Sequence, residues 1–177
     1  LIGVSSPTFS KEHAVSGQES SSFLEACLPK LNTKQGICVT LGPLPDQQAS
    51  EINQLIEQTQ LQIYLQSSDA VQLAELRKLA DQRGFLGSRL FADAGTNNSI
   101  ALASNLVDVV LVPVPLKNDQ TRAEILRVLR PQGTAYHSEG ELTKPIPAGN
   151  DDWTHPYHRP DNNPQSEDQN ARAPYRT

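Results

Sequence analysis

Residues Ala123–Gly133 read AEILRVLRPQG. Ile125, Leu126 and Leu129 recur at helical spacing, which predicts an amphipathic helix over Thr121–Arg130. Pro131 lacks an N–H and cannot continue that helix, and Gly133 is free to turn. Thr134–His137 then predicts a strand. A helix that stops abruptly and returns into a strand is one half of an α/β repeat.

The same alternation continues toward the N-terminus. Asn105–Pro113 reads NLVDVVLVP, the most apolar run in the chain, and predicts a strand over Val107–Val112 ended by Pro113 and Pro115. Ile37–Leu41, inside GICVTLG, is a second continuous apolar run of the kind buried on both faces. Leu61–Leu65 and Arg89–Ala92 predict two further strands. Ala49, Ile52, Leu55, Ile56 and Thr59 keep helical spacing between the first two strands. Ala70, Leu73, Ala74, Leu76 and Ala80 do so before the third, with Ser68-Asp69 as a cap and Gly84 as the stop. Glu19–Leu31 predicts a short helix with Phe23, Ala26, Cys27 and Leu31 on one face, limited by Pro29. Thr96–Asn105 reads as a polar loop or short helical turn.

The order β-α-β-α-β-loop-β-α-β predicts a doubly wound, mostly parallel, five-stranded Rossmann-like α/β sheet with helices on both faces. An extended Pro/Asn-rich tail follows. The expected organisation is an irregular segment over 1–18, the α/β domain over 19–143 and a linker over 144–177.

Composition agrees with a partial core. Apolar residues make up 37% of the 177 and concentrate between 36 and 137. The net charge of −5 comes with scattered Lys and Arg, so no basic stripe supports nucleic-acid binding. No run of eighteen apolar residues suggests a membrane span. Leu1 and the polar first 22 residues predict either a removed leader or a fragment. Cys27 and Cys38 read as small buried thiols rather than zinc ligands, with no Cys-x-x-Cys pair present.

Three segments resemble the class I S-adenosylmethionine-dependent methyltransferases, across about residues 33–138. They are the strand ending in Gly at Leu41-Gly42, the strand-four segment Asn105–Val110, and Leu126–Gly133, similar to that family's helix–turn. The tail adds a second resemblance. Asp151–His158 (DDWTHPYH) and Asp161–Gln165 (DNNPQ) resemble the junction in bacterial proteins that join a methyltransferase-like domain to a pyrroloquinoline-quinone-type β-propeller. That resemblance implies a missing C-terminal propeller as partner and a periplasmic or exported location.

The resemblance also implies where a cofactor would sit. Gly42 ends the first strand where such enzymes place a glycine loop, but Pro43, Leu44, Pro45 and Asp46 follow. Two prolines remove two N–H donors, so this loop is a better turn than cradle. Gln66 stands where the family's strand-two acid accepts the ribose hydroxyls, and it brings no charge. Asp69 is better explained as a helix cap. Asp93 stands where an acid after strand three binds the adenine amino group; the alternative is a loop carboxylate with local hydrogen bonds. Asp108, inside strand four, is expected to position a neighbouring loop or to be solvated at the sheet edge rather than to act as a base. His155 and His158, in HPYH, suit a stiff linker better than a metal site, and His13 and His137 have no evident partner.

Gly42, Gln66 and Asp93 are therefore the candidate cofactor-binding residues, with no catalytic or metal-ligating residue assigned. The expected function is a non-catalytic, degenerate methyltransferase-like module, a scaffold or interaction unit for its own propeller or another protein, with no cofactor. The alternative is an S-adenosylmethionine-binding methyltransferase. A dinucleotide-binding domain is disfavoured because no G-x-G-x-x-G follows the first strand.

Overall fold

The structure, a computed structural model, describes residues 22–42, 48–151, 160 and 165–170. Six strands form one sheet in the order β3-β2-β1-β4-β5-β6. They are β1 (Gln35–Leu41), β2 (Gln60–Ser67), β3 (Leu90–Ala94), β4 (Val107–Val112), β5 (Leu129–His137) and β6 (Gly140–Thr143). All neighbours run parallel except β5 and β6, which form an antiparallel hairpin. The order reverses between β1 and β4, as right-handed crossovers on both sides of a first strand require. The sheet thus holds the five expected strands and one more. Leu142 is the only large apolar residue of β6, so its sequence carries no alternation to announce a strand.

Among the described residues, four helices cover the sheet: α1 (Phe23–Cys27), α2 (Gln48–Gln58), α3 (Ala70–Gln82) and α4 (Asp119–Val128). The first is followed by a 3-10 turn at Leu28–Lys30, where Pro29 ends the regular helix. Leu24, rather than Ala26, is buried on α1. Leu24, Cys27, Ile52, Leu55, Ile56, Leu73, Leu76 and Ala80 from α1–α3 pack on Cys38, Ile63, Leu65, Val109 and Leu111 on one face. On the other face, Ile125 and Val128 of α4 pack on Val39, Leu41, Val110 and Val112. Each fully buried Leu, Ile or Val contributes about 1.5–3 kcal/mol relative to an exposed one.

The caps follow the sequence. Asp69 accepts from the amides of Val71 (3.0 Å) and Gln72 (3.1 Å), and Gly84, in the left-handed region at φ 71°, follows the end of α3. Asn118 caps α4 through Gln120 (2.8 Å) and Thr121 (3.3 Å).

The junction after α4 differs from expectation. The helix ends at Val128, not Arg130: Pro131 drives Arg130, the residue before it, out of helical geometry, and Leu129 leaves that geometry one residue earlier. Leu129 is already extended and pairs with Val107. Between the pairs Val107–Leu129 and Val109–Thr134 the fifth strand carries extra residues, so it bulges. Gln132 holds the left-handed φ of 65° there, not Gly133. Glycine is needed at 133 for a different reason: a Cβ would lie 3.0 Å from the Arg130 carbonyl oxygen and 3.1 Å from that of Asp108.

Asp108 holds this bulge to the sheet. Its carboxylate accepts from the Ile37 amide (2.8 Å) and pairs with the Arg130 guanidinium. It therefore positions neighbouring backbone, the first of its two expected roles, rather than being solvated at the sheet edge. Among the described residues no helix is long and apolar enough to cross a membrane.

Candidate functional site

In an open parallel sheet, ligands bind beyond the carboxyl ends of the strands, near the point where strand order reverses. The register brings the three candidate residues to that edge. Leu41 pairs with Gln66, and Gln66 with Asp93, so Gly42, Gln66 and Asp93 end three adjacent strands.

Gly42 has φ 91°, a conformation that excludes other L-residues at little cost only to glycine. It is buried, and the space beside it opens toward the Asn97 amide, 3.6 Å from where a Cβ would be. The Pro43–Asp46 loop expected to replace a glycine cradle lies outside the described residues.

Gln66 is 1% exposed. Its Nε2 donates to the carbonyls of Thr96 (2.6 Å) and Ser99 (2.7 Å), and its Oε1 accepts from the Ala101 amide (3.2 Å). Both amide hydrogens are spent on backbone. These bonds hold residues 95–101 as a strap over the end of β2. A carboxylate could not take this place, because it has no hydrogen to give to two carbonyls.

The strap is fastened at its other end by α4. The Ile100 amide donates to Glu124 (2.7 Å), while Arg127 donates to the carbonyls of Ile100 and Leu102 (both 2.9 Å). Thr121 Oγ1 donates to Asn98 Oδ1 at 2.6 Å. Ile100 is 3% exposed and joins Val39, Leu41 and Tyr64 in the core. Glu124 and Arg127 pair at 2.8 Å, and the hydrogen bond from Arg127 holds the Glu124 carboxyl below its ordinary pKa.

Asp93 is the exposed member of the trio. Its carboxylate lies 3.4 Å from the Arg77 guanidinium, which also donates to the Ala92 carbonyl along the outer edge of β3. Burial first, then the nearby Asp93 carboxylate, push the Tyr64 hydroxyl up. Arg77, Glu124, Arg127 and the strap were not singled out in the sequence. The only signal was the polar run Thr96–Ser99, which names a loop but not its fastenings.

Among the described residues no group of three or more His, Cys, Asp or Glu is placed to hold a metal ion. His155 and His158 lie outside those residues. His137, at the end of β5, accepts from the Glu139 amide through Nδ1 (3.3 Å).

The chain matches no protein-family model and no curated protein. Solved structures do share its fold. Geranyl diphosphate C-methyltransferase from Streptomyces coelicolor A3(2), in complex with geranyl diphosphate and S-adenosyl-L-homocysteine, is 10% identical with a TM-score of 0.57, over 64% of this chain and 44% of that one. The YcgJ protein from Bacillus subtilis is 12% identical with a TM-score of 0.53, over 64% of this chain and 48% of that one. The [4+2]-cyclase SpnF is 18% identical with a TM-score of 0.54, over 63% of this chain and 42% of that one. The domain is thus methyltransferase-like in fold, and the chain spans less than half the length of each of these structures. A cyclase among them illustrates that this architecture is not tied to one reaction.

Proposed function

We propose that this chain is a non-catalytic, methyltransferase-like domain that serves as a scaffold or interaction module of a larger, exported β-propeller protein. The observation that supports a non-catalytic role is the engagement of Gln66. Its amide fastens the strap through Thr96, Ser99 and Ala101, at the place where the family resemblance calls for a ribose-binding acid. Binding a nucleoside there would require breaking those bonds at a buried residue, and no charge would be gained in return. The propeller and the exported location rest on the resemblance of residues 151–165 alone.

A second reading, an S-adenosylmethionine-binding methyltransferase, draws on a different observation. Asp93 is exposed at the carboxyl end of β3, and Gly42 keeps the positive φ of a strand-to-loop glycine. A structural neighbour, geranyl diphosphate methyltransferase, has been solved with S-adenosylmethionine bound.

Calorimetric titration of S-adenosylmethionine and S-adenosylhomocysteine into the purified chain, with Asp93→Ala as control, separates the two. The non-catalytic role predicts no heat at millimolar ligand from a chain shown to be folded by circular dichroism. Micromolar binding that disappears in Asp93→Ala would establish a cofactor site and sink the first proposal.

A further inference from the structure

A second recess lies away from Gln66. It is a half-open cleft of about 430 Å³ between the α1–3-10 segment and the tip of the β5–β6 hairpin. That volume lies within the roughly 300–1,000 Å³ typical of small-molecule sites. Phe23, Ala26, Cys27 and Lys30 line one wall, at the spacing of a single helical face. Tyr136 and Glu141 line the opposite wall; they are directly paired across the hairpin and so share one face of the sheet.

The wall positions are fixed. Tyr136 is 4% exposed, and its hydroxyl donates to the Lys30 carbonyl (2.8 Å) and accepts from the Asn32 amide (3.1 Å). This locks the helical segment onto β5 and leaves the ring as an apolar floor. The charged ends behave differently. Glu139 lies 4.0 Å from Lys117, but among the described residues neither Lys30 nor Glu141 has an ion-pair partner. The cleft therefore presents one uncommitted ammonium and one uncommitted carboxylate on opposite walls, with Phe23, Ala26 and Tyr136 in the same lining.

We propose that this cleft binds a small zwitterion carrying an aromatic or branched apolar group, of the free hydrophobic amino acid class. Its carboxylate faces Lys30, its ammonium faces Glu141, and its apolar group lies on Phe23, Ala26 and Tyr136. Charge-assisted hydrogen bonds at both ends select a doubly charged ligand over one with a single charge. This site is independent of whether the Gln66 edge binds a cofactor.

The test is an NMR titration of the isotope-labelled chain with L-phenylalanine, with phenethylamine, which lacks the carboxylate, and with hydrocinnamate, which lacks the ammonium. Saturable shifts at the amides of Ala26, Cys27, Gly140 and Glu141 are expected for phenylalanine at millimolar concentration. The two one-ended analogues should bind about tenfold more weakly. Lys30→Met should weaken phenylalanine but not phenethylamine, and Glu141→Gln should weaken phenylalanine but not hydrocinnamate. Both residues are exposed, so the variants retain the fold. Absence of a saturable shift from a chain with a folded spectrum, or equal affinity for all three ligands, would overturn the proposal.

Discussion

A Cβ placed on Gly95 would lie 2.6 Å from the Cδ of Gln66, so the strap can lie against the Gln66 amide only because residue 95 has no side chain. The close approach follows from the amide's position beneath the strap, where it binds Thr96, Ser99 and Ala101 at once. Gly95→Ala is expected to displace Gln66 and lose about 2–3 kcal/mol of stability, the cost of leaving buried polar groups unpaired. Urea unfolding measures the loss. Faster amide hydrogen exchange at Ser99 and Ala101, with β4 unchanged, would locate it in the strap.

The acid limb of stability should depend on Glu124. Its folded-state pKa is lowered, chiefly by the hydrogen bond from Arg127. A lowered carboxyl pKa contributes stability that is fully present above the unfolded-state value and lost as pH falls through the folded-state value. Glu124→Gln is therefore expected to flatten the decline of stability on the acid side, while remaining less stable at neutral pH. Unfolding midpoints measured from neutral pH down into the carboxylate range would check this; an unchanged acid slope would exclude Glu124 as a contributor.

Asp108 fastens the β4–β5 bulge through the Ile37 amide and Arg130. Asp108→Ala should cost about 1–3 kcal/mol, because it leaves a part-buried N–H and a half-buried guanidinium without their acceptor. Asp108→Asn keeps an acceptor for Ile37 and should cost about half as much. Equal losses for the two variants in chemical denaturation would show that the ion pair, not the backbone bond, dominates.

Thr40 offers the opposite case. It is fully buried in the central strand, and its hydroxyl has no hydrogen-bond partner among the described residues. Thr40→Val replaces an unpaired hydroxyl with a methyl of similar shape and should stabilise the chain by about 1 kcal/mol. A thermal melt that moves downward would mean the hydroxyl is satisfied after all.

The two thiols should be inert until the domain opens. Cys38 is fully buried, and burial pushes its thiol well above its ordinary pKa. Cys27 is 6% exposed; its pKa is also raised by burial, with Lys30 opposing. A disulfide reagent at mildly alkaline pH is expected to label Cys27 before Cys38, and both at once only in denaturant.

The positions of β1, β2, β4, α2 and α3 were legible in the sequence because their apolar periodicity is local. Pro29, Asp69 and Gly84 marked boundaries through their own backbone chemistry, whereas Pro131 sits inside β5. Gly42, Gln66 and Asp93 could be placed at strand ends by counting. What Gln66 does there could not be read, since its partners Thr96, Ser99 and Ala101 lie some thirty residues further along. Gly133 misled for a related reason: its lack of a side chain serves an approach to Asp108, a contact invisible along the chain.

The alternation of strands and helices is written along the chain, because burial of one face imprints a short period on each segment. That β6 joins the sheet, and that the strap crosses the carboxyl edge fastened by Gln66 and α4, emerges only in the folded molecule. Those outcomes depend on hydrogen bonds between segments far apart in the chain. Such bonds leave no periodic trace, because one correctly placed polar group is enough to make each of them.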